Sequence, residues 1–193
     1  EMTEFFVYIK LGWFHIANLN AYDHMLFLLA LCGVYTLKDY KPLFWLVTAF
    51  TLGHSATLIL ASLGVFQINA ELIEFLIPVT IFITAVANFF ISEKNSKKLL
   101  LKYLVAFVFG LIHGLGFSSY FKSLIGEGIQ LIKILFAFNV GIEVGQLLIV
   151  AAIVFFVSFL NEYLKIRLKS IQYVISTLAA AVAIFLMIQT KFW

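Results

Sequence analysis

The stretch "NAYDHMLFLLALC", residues 20–32, sets Asp23 and His24 side by side at the head of an almost wholly apolar run. Extended to Leu37, that run approaches the roughly 20 residues a helix needs to cross a bilayer core. Working outward, five more apolar runs follow: Pro42–Val65, Ala70–Ile91, Leu99–Phe121, about Ile129–Leu160, and Ile171–Phe192. Lys, Glu, Asn and Gly punctuate them, which is the pattern of a polytopic bundle rather than a soluble core. Before them, "FFVYIKLGWFHIANLN" at residues 5–20 is aromatic-rich and too interrupted to span. It is expected at the membrane interface or folded back over the bundle. The expected fold is thus an all-α polytopic membrane protein: six transmembrane helices preceded by a short interfacial N-terminal helix, in a single domain over residues 1–193.

Composition agrees. The chain is 63% hydrophobic and 12% charged, with a mean hydropathy of +1.06, whereas soluble domains carry about 25% charged residues. The net charge of +3 does not signal nucleic acid, because the cations lie in the connectors between spans. Nine of them (Lys38, Lys41, Lys94, Lys97, Lys98, Lys102, Lys165, Arg167 and Lys169) fall on one side, and only Lys10, Lys122, Lys133 and Lys191 on the other. By the positive-inside rule the nine face the cytoplasm, and both termini face out. The fifth run exceeds one bilayer thickness and is expected to tilt or to extend into the cytoplasm. Cys32 is the single cysteine, which excludes an internal disulfide and any cysteine metal cluster. No stretch of the sequence reads as a signal peptide with its basic n-region; a leader, had there been one, is expected to have been removed.

The chemistry lies in polar residues at membrane depth. None of the four histidines is in a cytoplasmic connector: His15 is in the leading helix, His24 opens the first run, and His54 ("FTLGHSATL") and His113 ("FGLIHGLGF") lie inside the second and fourth. In the fifth run, "FNVGIEVGQ" puts Asn139, Glu143 and Gln146 at i, i+4 and i+7, on one helix face. At 1.5 Å per residue, His54, His113 and Glu143 all fall about 20 Å from the ends of their runs, near mid-membrane. An ionised group there costs from about 3 kcal/mol upward, so it needs a cavity or a partner. Asp23 and His24 are expected nearer the outer face, with Glu71 and Glu74, as the rim of a cation-attracting funnel.

Neutral imidazole plus carboxylate, without thiolate, suits a divalent transition ion such as Ni, Co, Zn or Cu. Because helical neighbours point about 100° apart, one of Asp23 and His24 is expected to ligate while the other orients a ring. Ser55 and Thr57 can support His54. The plainer alternatives are helix-to-helix hydrogen bonding for any one histidine, and for Asn139 and Gln146, and a solvated helix start for Glu71 and Glu74.

Together "WFHIANLNAYDHMLFLLALC", "VTAFTLGHSATL", "VFGLIHGLGF" and "FNVGIEVGQ" resemble the HupE/UreJ family, especially its second subgroup, in consistent order from about Gly12 to Val150. The resemblance implies a bacterial inner-membrane protein, linked by name to hydrogenase and urease maturation and described as a nickel permease. It places the family's His and Asp-His elements on His15, Asp23 and His24, and the histidines of the second and fourth helices on His54 and His113.

Three functions follow as expectations. The leading one is a divalent metal permease of nickel/cobalt type, its ion held by His24, His54, His113, Asp23, Glu143 and His15, with Ser55, Asn139 and Gln146 supporting. The second is an intramembrane zinc-dependent hydrolase, in which three histidines hold the ion and Glu143 or Asp23 takes the proton. The third is a structural or sensing membrane protein with a fixed metal. The expected partners are the metal ion and the lipid bilayer, with no nucleic acid; a homo-oligomer and metalloenzyme maturation factors are left open.

Overall fold

A computed structural model describes residues 2–18, 23–65, 69–90, 96–125 and 131–193. Among the described residues there are seven α-helices and no strand: α1 (Met2–Ala17), α2 (Asp23–Cys32), α3 (Tyr40–Ser62), α4 (Ala70–Phe90), α5 (Ser96–Ile125), α6 (Leu131–Glu162) and α7 (Leu168–Gln189). Five of them, α3 to α7, are long and apolar enough to cross a membrane. Their outward faces carry Phe136, Leu148, Phe155, Leu178 and Ile188, each more than half exposed. A soluble monomer rarely shows so continuous an apolar surface, whereas a bilayer requires it.

Helix ends follow local chemistry. Before α3, the Asp39 carboxylate accepts hydrogen bonds from the Thr36 backbone N–H (2.9 Å) and hydroxyl (3.0 Å). α3 ends in a Schellman turn: Gly64 takes φ +73°, and the Val65 and Gly64 N–H groups bond back to Leu60 and Ala61.

The structure departs from the expected arrangement at the N-terminus. The helix expected over Ala21–Leu37 is only 10 residues long as α2, about 15 Å, half of a bilayer core. α1, expected at the interface or folded back over the bundle, runs along α6. Phe5 and Tyr8 lie beside Lys133 and Ile134, Gly12 meets Phe138, and Ile16 reaches Gly145. α1 therefore stops beside the middle of α6, and α2 starts at that depth. His24 packs on His54 and His113; beyond the other end of α2, Lys102 near the start of α5 donates to the Tyr35 hydroxyl, and the Leu37 N–H to Ser158 near the end of α6. The run of polar and small residues between Ala17 and Asp23 made α1 and α2 look like separate objects, but packing sets them end to end.

α3 packs on α5, α1 on α6, and α4 on α7, while α2 sits among α4, α6 and α7. Ile16, Phe27, Phe50, Phe121 and Phe138 are fully buried at the centre.

Candidate metal centre

Two close helix crossings carry the site. A Cβ on Gly53 would stand 2.1 Å from the Phe107 carbonyl oxygen, and one on Gly110 would stand 2.1 Å from that of Phe50. α3 and α5 thus touch backbone to backbone, as only glycine allows. His54 follows Gly53 directly, and His113 lies between Gly110 and Gly114, so the crossing carries both rings inward. α1 and α6 repeat the device: a Cβ on Gly12 or on Gly141 would lie 2.0 Å from the carbonyl oxygens of Phe138 and Ile9. His15 is one turn beyond Gly12.

The four rings meet. Ring centroids are 4.7 Å apart for His15 and His24, 5.6 Å for His15 and His54, 6.1 Å for His24 and His54, and 5.2 Å for His24 and His113. One nitrogen each from His15, His24 and His54 lies within 4.8 Å of the other two. Tetrahedral coordination at about 2.1 Å sets neighbouring donor atoms about 3.4 Å apart. Small side-chain rotations would bring the three nitrogens to that separation.

Hydrogen bonding decides which nitrogens are available. The Asp23 carboxylate can only accept, so at 3.2 Å it takes the Nδ1–H of His24 and leaves the Nε2 lone pair facing the cluster. Thr80 donates its hydroxyl hydrogen to the Ile77 carbonyl at 2.7 Å, so its oxygen accepts from His113 Nε2 at 3.0 Å and the His113 Nδ1 lone pair is left over. His15 Nε2, His24 Nε2, both nitrogens of His54 and His113 Nδ1 are buried without a hydrogen-bond partner. Buried polar atoms are almost always satisfied. A neutral imidazole offers one lone pair, and those of His15, His24 and His54 lie close enough together to fit a cation that accepts them. Phe117, 3.9 Å from His15 by ring centroids, together with Phe138, Phe27 and Phe50, walls the group with aromatic rings.

Asp23 and His24 do not form an outer rim. His24 stands level with His54 and His113, packing on both rings, and Asp23 bonds to it. Glu71 and Glu74 are exposed at the start of α4 and are not part of the cluster. Glu143 is also outside the group of three: its carboxylate accepts from Thr48 at 2.6 Å. Gln146 accepts from Thr51 at 2.7 Å, and its Nε2 is buried without a partner. Asn139 donates to the Leu135 carbonyl, and Ser55 to that of Thr51. Thr57 donates to Leu111 across the α3–α5 crossing. Sequence reasoning passed over Thr80, whose only signal was a hydroxyl on a buried face of α4, and over Gly12 and Gly141, whose match to Gly53 and Gly110 appears only once the helices are paired.

Fold and site together define a multi-pass helical membrane protein with a buried histidine cluster. Over residues 1–193 the chain matches the family described as HupE / UreJ protein, and it belongs to that family. Neither a curated protein nor a solved structure matches the chain.

Proposed function

We propose that this protein is a divalent transition-metal permease of nickel/cobalt type in a bacterial inner membrane. Its ion is held by His15, His24 and His54, with His113 completing the set and Asp23 orienting His24. The observation that carries the reading is the clustering of imidazole nitrogens of His15, His24 and His54, from three helices, within 4.8 Å of one another, with the His113 ring beside His24. Family membership supports it. In this reading α1 and α2 together make the first of six crossings, both termini face out, and His15 and His24, near the facing ends of the two helices, bring them to the ion. Discontinuous helices meeting at mid-membrane are a recurrent way to build a transporter site. Glu143 and Gln146, with Thr48 and Thr51, supply the polar groups next along the path.

The purified protein in liposomes should admit nickel or cobalt, followed by a trapped metal-sensitive dye, and His54→Ala and His113→Ala should abolish the flux. Mass-spectrometric metal analysis of the same samples separates the runner-up. About one zinc per chain held tightly and lost in both variants, without flux, would replace transport by a fixed catalytic or structural ion. The specific feature favouring that alternative is the Asp23–His24 contact at 3.2 Å, the carboxylate–histidine pairing common behind resident metals.

A further inference from the structure

A cavity of about 310 Å³ lies between α2, α3, α4 and α5, on the side of the bundle that holds Tyr35 and Lys102. Leu31, Leu46, Ala87, Val105 and Phe109 make its walls, with Ile83. Ile83 is 48% and Leu101 57% exposed, so the cavity opens sideways between α4 and α5, toward the hydrocarbon around the bundle.

One end is not apolar. The Lys102 ammonium donates to the Tyr35 hydroxyl at 3.2 Å and sits 5.0 Å from the centre of its ring. The other polar groups of the lining are engaged: Thr84 donates to the Thr80 carbonyl and Asn88 to that of Ala30. Among the described lining residues Lys102 carries the one formal charge, with the Asp39 carboxylate near enough to interact with it, and an ammonium has three hydrogens, of which Tyr35 takes one. An apolar slot open to lipid, with a cation and a phenol at its cytoplasmic end, matches an acyl chain that carries an anionic head.

We propose that this cavity binds an acidic phospholipid of the cytoplasmic leaflet, its phosphate on Lys102 and Tyr35 and one acyl chain running inward toward Phe109. The leaflet on that side is where basic residues meet anionic lipid. Phe109 packs on Phe27, which touches His113, so the chain would end two rings from the histidine cluster. The proposal does not depend on what the cluster does.

The test is native mass spectrometry of the full chain taken from bilayer discs of equal phosphatidylglycerol and phosphatidylethanolamine, with and without added free fatty acid. The parent should retain phosphatidylglycerol in preference. Lys102→Gln should cut that preference by about fivefold, the factor one cation contributes at an anionic surface. Lys102→Arg should keep it, and Ala87→Phe, which fills the slot, should remove it. Equal retention by parent and Lys102→Gln would overturn the proposal, as would retention of the fatty acid in place of phosphatidylglycerol. Should Ala87→Phe fail to fold, the contrast between the Gln and Arg variants at position 102 decides alone.

Discussion

Thr80 Oγ1 stands 3.0 Å from His113 Nε2, and because its own hydrogen goes to the Ile77 carbonyl it sets the tautomer of that ring. The consequence is an Nδ1 lone pair that is buried without a hydrogen-bond partner. Thr80→Val removes the acceptor while preserving shape, and should weaken metal binding by about 10–100-fold, as loss of an orienting partner does elsewhere. Thr80→Ser should restore it. A chelator-competition titration reads both, and equal affinity in the Val variant would refute the tautomer argument.

Asp23 acts on His24 as Thr80 acts on His113. Asp23→Ala keeps every imidazole but frees the His24 ring, and about 10–100-fold weaker binding is expected. His24→Ala should instead abolish stoichiometric binding. If the two variants behave alike in metal analysis, Asp23 is itself a ligand and the ordering proposed for the pair is wrong.

Glu143 offers a contrast, since it lies outside the group of three and is held by Thr48 at 2.6 Å. Glu143→Gln should therefore leave metal stoichiometry intact. Thr48→Val strips the carboxylate of its donor and should cost about 1–3 kcal/mol of stability, visible as a lower unfolding temperature in detergent. Loss of metal in Glu143→Gln would return the carboxylate to the coordination shell.

The glycine crossings bear on folding. A Cβ at Gly53 or Gly110 would stand 2.1 Å from a backbone carbonyl oxygen, so neither helix can yield by turning a side chain. Gly53→Ala and Gly110→Ala should each destabilise by about 1–3 kcal/mol, the usual cost of overpacking. Gly64→Ala, in an exposed turn with nothing near its Cβ but with φ +73°, should cost about 1 kcal/mol through the backbone alone. Thermal unfolding of the three variants in one detergent orders them, and a Gly53→Ala no worse than Gly64→Ala would show the crossing to be loose.

Much of this protein was legible in its residues. Long apolar runs have one solution in a bilayer, because a backbone without water must close its own hydrogen bonds. The helices α3 to α7 accordingly appear within a few residues of where periodicity and length put them. The histidines were also conspicuous, since polar groups at that depth demand partners. Less legible was which of them meet. Counting residues along independent straight helices put His24 at an outer rim and Glu143 beside the histidines. Where α1 ends against α6 depends on Gly12 and Gly141 letting two backbones touch, a contact between residues far apart in the chain.

What the chain determined by itself is therefore the class of fold and the inventory of donors, both set by local transfer free energies and residue chemistry. Tertiary structure alone decided that His15 and His24, from two helices, cluster with His54, and that His113 packs on His24. It also decided that Asp23 and Thr80 engage one nitrogen each of His24 and His113 and leave the other without a partner, Thr80 doing so from a different helix that no local pattern ties to His113.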